Sequence, residues 1–134
     1  LIAKKILFYT STMEARLEAL SNEYQKLQKD LSNAIESRQR LDSQLQENEV
    51  VQKEFKLLKD DANIYKLIGP VLVKQDKVEA TTNVDKRLEY IKSEIQRVEK
   101  QLADLSEKSE KKKLEVIELQ RAYQAQIQKT SANN

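Results

Sequence analysis

The side chains here that could do chemistry are carboxylates, ammonium and guanidinium groups, hydroxyls and amides, because the chain has no histidine and no cysteine. That excludes an imidazole base, a thiol nucleophile, a zinc finger and a disulfide framework. Paired carboxylates would still serve acid–base catalysis if a pocket split their pKa values. The acids instead lie along polar helical stretches, as Glu47 and Glu49 do, with nothing to desolvate them. One glycine cannot build a phosphate-cradling loop or a dinucleotide fingerprint. The remaining constellation is Lys108-Ser109-Glu110-Lys111-Lys112-Lys113, the only basic cluster. Such runs are usually solvated helix faces, and the sharper alternative is a docking contact for an acidic partner. The residue set therefore predicts no catalytic, cofactor-binding or metal-binding site, and no enzyme.

The elements that would position any surface are helices. Charged residues make up 34% of the 134, aromatics 5%, with a single proline. A composition led by Leu, Lys, Glu and Gln reads as long helix or coiled coil. The net charge of +2 comes from interleaved signs, which speaks against a nucleic-acid face. The longest apolar runs, Ile6 to Tyr9 and Val71 to Val73, fall far short of the roughly 20 residues of a membrane span. Absence of cysteine fits a reducing compartment.

A heptad runs through Leu17, Leu20, Tyr24, Leu27, Leu31, Ala34, Arg38, Leu41 and Leu45, and continues in register through Asn48, Gln52 and Phe55. Arg38 and Asn48 in this seam read as register-fixing residues. The helix is expected over 13–59, ended by Asp60-Asp61-Ala62-Asn63. A second heptad takes Val84, Leu88, Ile91, Ile95, Val98, Leu102 and Leu105, is interrupted at Ser109 and Lys112, and resumes at Val116, Leu119 and Tyr123. Asp76 with Glu79 and Thr82 with Asp85 compete as its start, and the helix is expected over 77–128 with a flexible tail at 129–134. In an antiparallel pairing, Lys112 would face Tyr24 or Leu31, according to register. Residues 1–12, with Lys4, Lys5 and no acid, read as an extension upstream of a natural start at Met13, the only methionine.

Between the heptads, Ile64-Tyr65-Lys66-Leu67-Ile68 and Val71-Leu72-Val73-Lys74 are runs of β-formers separated by Gly69-Pro70. Gly-Pro suits a type II′ turn, giving a hairpin over 63–75. Tyr65 and Leu67 would share one face, Ile64 and Ile68 the other, so both faces are apolar. Such a ribbon either folds back on its own coiled coil or assembles edge to edge with strands of other subunits. The predicted fold is mainly α: an antiparallel two-helix coiled-coil hairpin with a β-hairpin inserted between the helices. The predicted oligomerisation residues are Ile64, Tyr65, Leu67, Ile68, Gly69, Pro70, Val71, Leu72 and Val73.

The stretch from Tyr65 to Gln75, followed by Glu79-Ala80 and by Asn83-Val84-Asp85-Lys86-Arg87-Leu88-Glu89-Tyr90-Ile91, resembles the β-type subunits of prefoldin, as do Tyr24 to Leu31 and Leu45 to Asn48. The likeness covers residues 13–128, while residues 1–12 lie outside it. It implies a cytosolic hexamer of two α-type and four β-type subunits, a hairpin-built double barrel, and six projecting coiled coils. It further implies that the coiled-coil tips hold unfolded clients, actin and tubulin above all, and pass them without ATP to the group II chaperonin. Carried onto this sequence, the tip comprises Leu17, Leu20, Tyr24, Leu119 and Tyr123, with Met13 and Val116 beside them. Ile117 at position b and Ile127 at position e lie off the seam and are expected to be exposed client contacts. The rival readings are a structural coiled-coil tether or scaffold subunit and a transcription-linked adaptor. A tether would tolerate changes in Ile64 to Val73, and an adaptor would need a basic face.

Overall fold

The computed structural model describes residues Leu1 to Asn133. Helix α1 spans Ile2–Leu57, strand β1 Ile64–Ile68, strand β2 Val71–Gln75 and helix α2 Lys77–Ala132. This is the helix, β-hairpin, helix order that the heptads and the Gly-Pro turn predict. The chain forms two compact units, a hairpin unit (Ile35–Lys100) and a terminal unit (Leu1–Ala34 with Gln101–Asn134).

In the hairpin unit the dry core is one stripe of α2. Ala80, Val84, Leu88, Ile91, Ile95 and Val98 are buried at steps of four or three, together with Ile64 of β1. The facing α1 positions, Leu41, Leu45, Asn48, Gln52 and Phe55, are half-buried. Antiparallel pairing shows in the cross-helix bonds. Arg38 pairs with Glu99 at 3.1 Å, and the Gln52 amide donates to Asp85 at 2.8 Å, so low numbers meet high ones. Arg38 thus pins the register as expected. Asn48 does not, because its amide donates to the Gln44 carbonyl of its own helix at 2.7 Å.

The two helix ends flanking the ribbon are closed by chemistry visible in sequence. Helix α1 stops at Leu57, just before the expected Lys59, and the Ala62 N–H donates to the Lys59 carbonyl at 3.0 Å to make the turn through Asp60-Asp61. The Lys77 ammonium donates to the Leu58 carbonyl at 3.2 Å and lies 3.5 Å from that of Lys59, placing a cation at the negative end of α1. Of the two competing starts for α2, Asp76 is the cap. Its carboxylate accepts the Glu79 N–H at 3.1 Å, while the Thr82 hydroxyl turns into the helix toward the Val78 carbonyl at 2.8 Å.

In the terminal unit both helices run further than expected. Helix α1 begins at Ile2 rather than Met13, and α2 continues to Ala132 through most of the expected tail, whose Asn134 lies outside the described residues. The reason is that the three-four spacing continues in phase. Ile6 and Thr10 are half-buried and Met13 is buried upstream of Leu17, and Gln126 and Thr130 follow Tyr123 in the same way. No glycine or proline interrupts residues 1–12.

Removing a fully buried seam side chain should cost more than removing a half-wet one. Leu88→Ala is expected to destabilise the chain by about 2–4 kcal/mol and Leu27→Ala by about half of that, measured by urea unfolding followed by circular dichroism.

Candidate functional site

The β-ribbon is an antiparallel pair, Ile64 opposite Gln75, Lys66 opposite Val73 and Ile68 opposite Val71. Gly69, at the first position of the two-residue turn, has φ of 58°, the positive value the sequence reading assigns to it. No atom lies within 4 Å of where its Cβ would stand, so a side chain there would cost backbone strain alone. The register sorts the side chains into two faces. Ile64, Lys66, Ile68, Val71, Val73 and Gln75 share one, and Tyr65, Leu67, Leu72 and Lys74 the other.

Neither face is covered by the chain's own helices. Leu67 is 66% exposed, Leu72 64%, and Tyr65, Ile68, Val71 and Val73 are exposed as well. Ile64 alone is buried, anchoring the base of β1. Among the described residues the sheet has two strands, so each has one edge with unpaired N–H and C=O groups. The ribbon is therefore not tucked against its own stalk. Leu57 and Val78, beside its two ends, add further exposed apolar surface.

In the terminal unit the predicted tip residues divide by position. Leu17, Leu20, Tyr24, Leu119 and Tyr123 face the seam and are half-buried, with Met13 buried among them. Ile127 is 42% exposed, as expected. Ile117 is not: it is half-buried, although position b points away from the seam. Tyr123 donates its hydroxyl hydrogen bond to Glu14, and that contact, with lesser burial, raises its pKa above the ordinary tyrosine value. Sequence reasoning missed the upstream members of this surface, Ile2, Ile6 and Leu7. With Ile127 they line a cleft of about 580 Å³ between the helix ends. The signal was present, since Ile6, Thr10 and Met13 carry the heptad back from Leu17.

The heptad interruption at Ser109 and Lys112 is chemical and not geometric. Ser109 is buried at 3% exposure and accepts a hydrogen bond from the Gln28 amide, so the seam passes through it with its polar group satisfied. Lys112 lies in the register that brings it to the neighbourhood of Tyr24, and its ammonium reaches out to Glu23 at 2.7 Å and Glu115 at 3.4 Å. Within the basic cluster, Lys108 pairs with Asp104 at 2.9 Å and Lys111 with Glu107 at 3.0 Å. Three of its four lysines are thus neutralised within the chain, which favours a solvated helix face. Among the described residues no group of His, Cys, Asp or Glu could hold a metal ion, and no helix is long and apolar enough to cross a membrane.

Two heptad helices returning on each other, with an unfinished β-ribbon between them, describe the β-type subunit of a prefoldin-like assembly. A family model described as "Prefoldin subunit" matches residues 18–129, and the chain belongs to that family. It is 46% identical to prefoldin subunit 6 of Arabidopsis thaliana over 112 residues, covering 84% of this chain and 87% of that protein. It is 45% identical to prefoldin subunit 6 of Homo sapiens over 121 residues, covering 90% and 94%. The yeast Saccharomyces cerevisiae subunit 6 is 48% identical over 103 residues, 77% of this chain and 90% of that one. Among solved structures, the prefoldin beta subunit from Thermococcus strain KS-1 shares the fold at a TM-score of 0.68 and 24% identity, covering 75% of this chain and 89% of that one.

Hydrogen bonding to Glu23 holds the Lys112 ammonium above the ordinary lysine pKa, against a smaller opposing effect of burial. A pKa raised by folding contributes stability that is complete below the unfolded value and lost as pH rises through the folded one. The terminal unit should therefore weaken on passing from about pH 8 to about pH 11. In Lys112→Met this loss should be smaller, though not abolished, because Asp104 raises Lys108 in the same direction. Circular dichroism melts at the two pH values check this.

Proposed function

We propose that this chain is a β-type subunit of a hexameric, ATP-independent chaperone, filling the place of prefoldin subunit 6. The observation that carries the proposal is the ribbon, which is apolar on both faces, exposed on both and open at both edges. A two-stranded ribbon is marginal in water alone, and the way to complete this one is to add strands from other subunits. Its partners are then other prefoldin subunits, two α-type and four β-type in all, whose hairpins pair with Ile64 to Val73 to close barrels. The high identity to proteins named prefoldin subunit 6 over most of the chain supports this place in the assembly.

The second half of the activity belongs to the terminal unit. Its seam is half-wet, with Ser109 and Lys112 at core positions and Ile127 exposed, so apolar groups are presented to solvent without deep burial. Non-native segments of actin-like or tubulin-like clients would be held there by Leu17, Leu20, Tyr24, Ile117, Leu119, Tyr123 and Ile127. Transfer to the group II chaperonin would follow in the cytosol. Nothing in this scheme needs a nucleotide or a metal, since binding and release follow from weak apolar contacts. Residues 13–128 form the prefoldin-type domain in this reading, with residues 1–12 as an addition to it.

The test is assembly. Leu67→Asp or Val71→Asp, both at exposed positions, should leave helicity unchanged but remove the chain from a co-expressed hexamer. Size-exclusion chromatography with light scattering measures this. A complex of unchanged mass would reject the proposal in favour of a tether.

A further inference from the structure

The paired helix ends of the terminal unit carry two features that the family likeness does not account for. The first is the cleft itself. Its α1 wall is supplied by Ile2, Ile6 and Leu7, which precede the residues matched to the family, and Ile127 stands on the α2 wall. The hydroxyls that line it are already spent. Thr10 donates to the carbonyls of Ile6 and Leu7 at 3.1 and 3.0 Å, Thr130 to that of Gln126 at 2.8 Å, and Ser131 to that of Ile127 at 3.1 Å. They turn their hydrogen-bonding groups toward their own helices, so the cleft offers few directional demands to an occupant. The outer lip is apolar too, with Leu7 72% and Phe8 74% exposed.

The second feature is charge. Residues 1–13 and 119–133 hold Lys4, Lys5, Arg121 and Lys129 and not one acid. Among the described residues none of these four forms an ion pair, in contrast to Lys108, Lys111 and Lys112. Lys4 lies three and four residues before Leu7 and Phe8, the spacing that places it beside both on the helix surface. The flanking acids are Glu118, three residues before Arg121, and Glu14, which lines the cleft and accepts the hydrogen bond of Tyr123. An apolar cleft at the centre of an uncompensated positive field selects an occupant that is apolar in the middle and negative at its flanks.

We infer that this cleft binds short apolar segments of unfolded polypeptide flanked by acidic residues, with Ile2, Leu7 and Ile127 gripping the apolar part and Lys4 and Lys5 attracting the flanks. The inference rests on the chaperone reading and adds to it a client preference that residues 1–12 confer. A concave site fits inserted side chains better than a flat bilayer surface does, and the absence of directional hydrogen bonding makes it tolerant of sequence.

The experiment uses the full chain and two fluorescent peptides with one common Leu/Phe core, one flanked by glutamates and the other by lysines. Fluorescence anisotropy at low salt should show the acidic peptide binding about tenfold or more tightly, with the gap closing at about 0.5 M salt, where the Debye length is only a few ångströms. In Lys4→Glu/Lys5→Glu the preference should vanish or reverse, and Leu7→Asp should weaken both peptides. These sites are solvent-exposed, so unchanged circular dichroism confirms that the variants fold.

Equal affinity for the two peptides overturns the inference, as does unchanged binding by Leu7→Asp. It is also overturned if the chain ignores both peptides but binds vesicles of phosphatidylcholine with phosphatidylserine, or self-associates through a contact that Leu7→Asp removes. If the hexamer carrying the parent chain suppresses aggregation of an unfolded client while the chain binds neither peptide, the inference falls and the chaperone reading stands. If the hexamer does neither, both fall.

Discussion

Backbone hydrogen-bonding groups at a sheet edge must find partners or stay in water, and apolar side chains on both faces make staying in water costly. The ribbon from Ile64 to Gln75 meets both conditions at once. It is held at one end only, through buried Ile64 and through the helix caps that close its flanks. The turn at Gly69-Pro70 costs little, because the positive φ falls on the one residue without a side chain. The rest of the hairpin unit holds this strip extended and paired, with an edge of each strand open.

The coiled coil in that unit is correspondingly dry. Val84, Leu88, Ile91, Ile95 and Val98 are all buried, and polar side chains fix the register from its margins, Arg38 onto Glu99 and Gln52 onto Asp85. Exposed and half-exposed polar contacts of this kind contribute little to stability, on the order of a few tenths of a kcal/mol each. Their value is positional, because a slipped register would part them and misplace the buried stripe.

The terminal unit follows a different rule. Its seam keeps the same three-four spacing but fills core positions with Ser109, Lys112 and Thr10, so most of its residues remain half-buried. A buried serine satisfied by glutamine and a lysine that reaches out to glutamate are compatible with helix pairing, yet they forgo the apolar burial that leucines at those positions would supply. Surface that is already partly wet is the surface most available for reversible contact with other chains.

Periodicity and turn chemistry are local properties, and they alone determined the two helices, the ribbon between them and its alternating faces, leaving Asp76 as one of two starts for α2. They also sufficed to mark Leu67 and Val71 as exposed apolar surface. What they did not reveal depends on contacts between distant segments. The start of α1 at Ile2 was only weakly marked, because Thr10 interrupts the apolar stripe that Ile6 and Met13 carry back from Leu17. The partner of Ser109 is Gln28, 81 residues away, and Ile117 is half-buried where its heptad position predicts exposure. Asn48 turning to Gln44 rather than across the seam was likewise decided by the fold, since an amide can satisfy itself either way and only the packed neighbour chooses. Spacing is written along one chain, whereas the cleft at the helix ends exists only where two stretches of it are brought side by side.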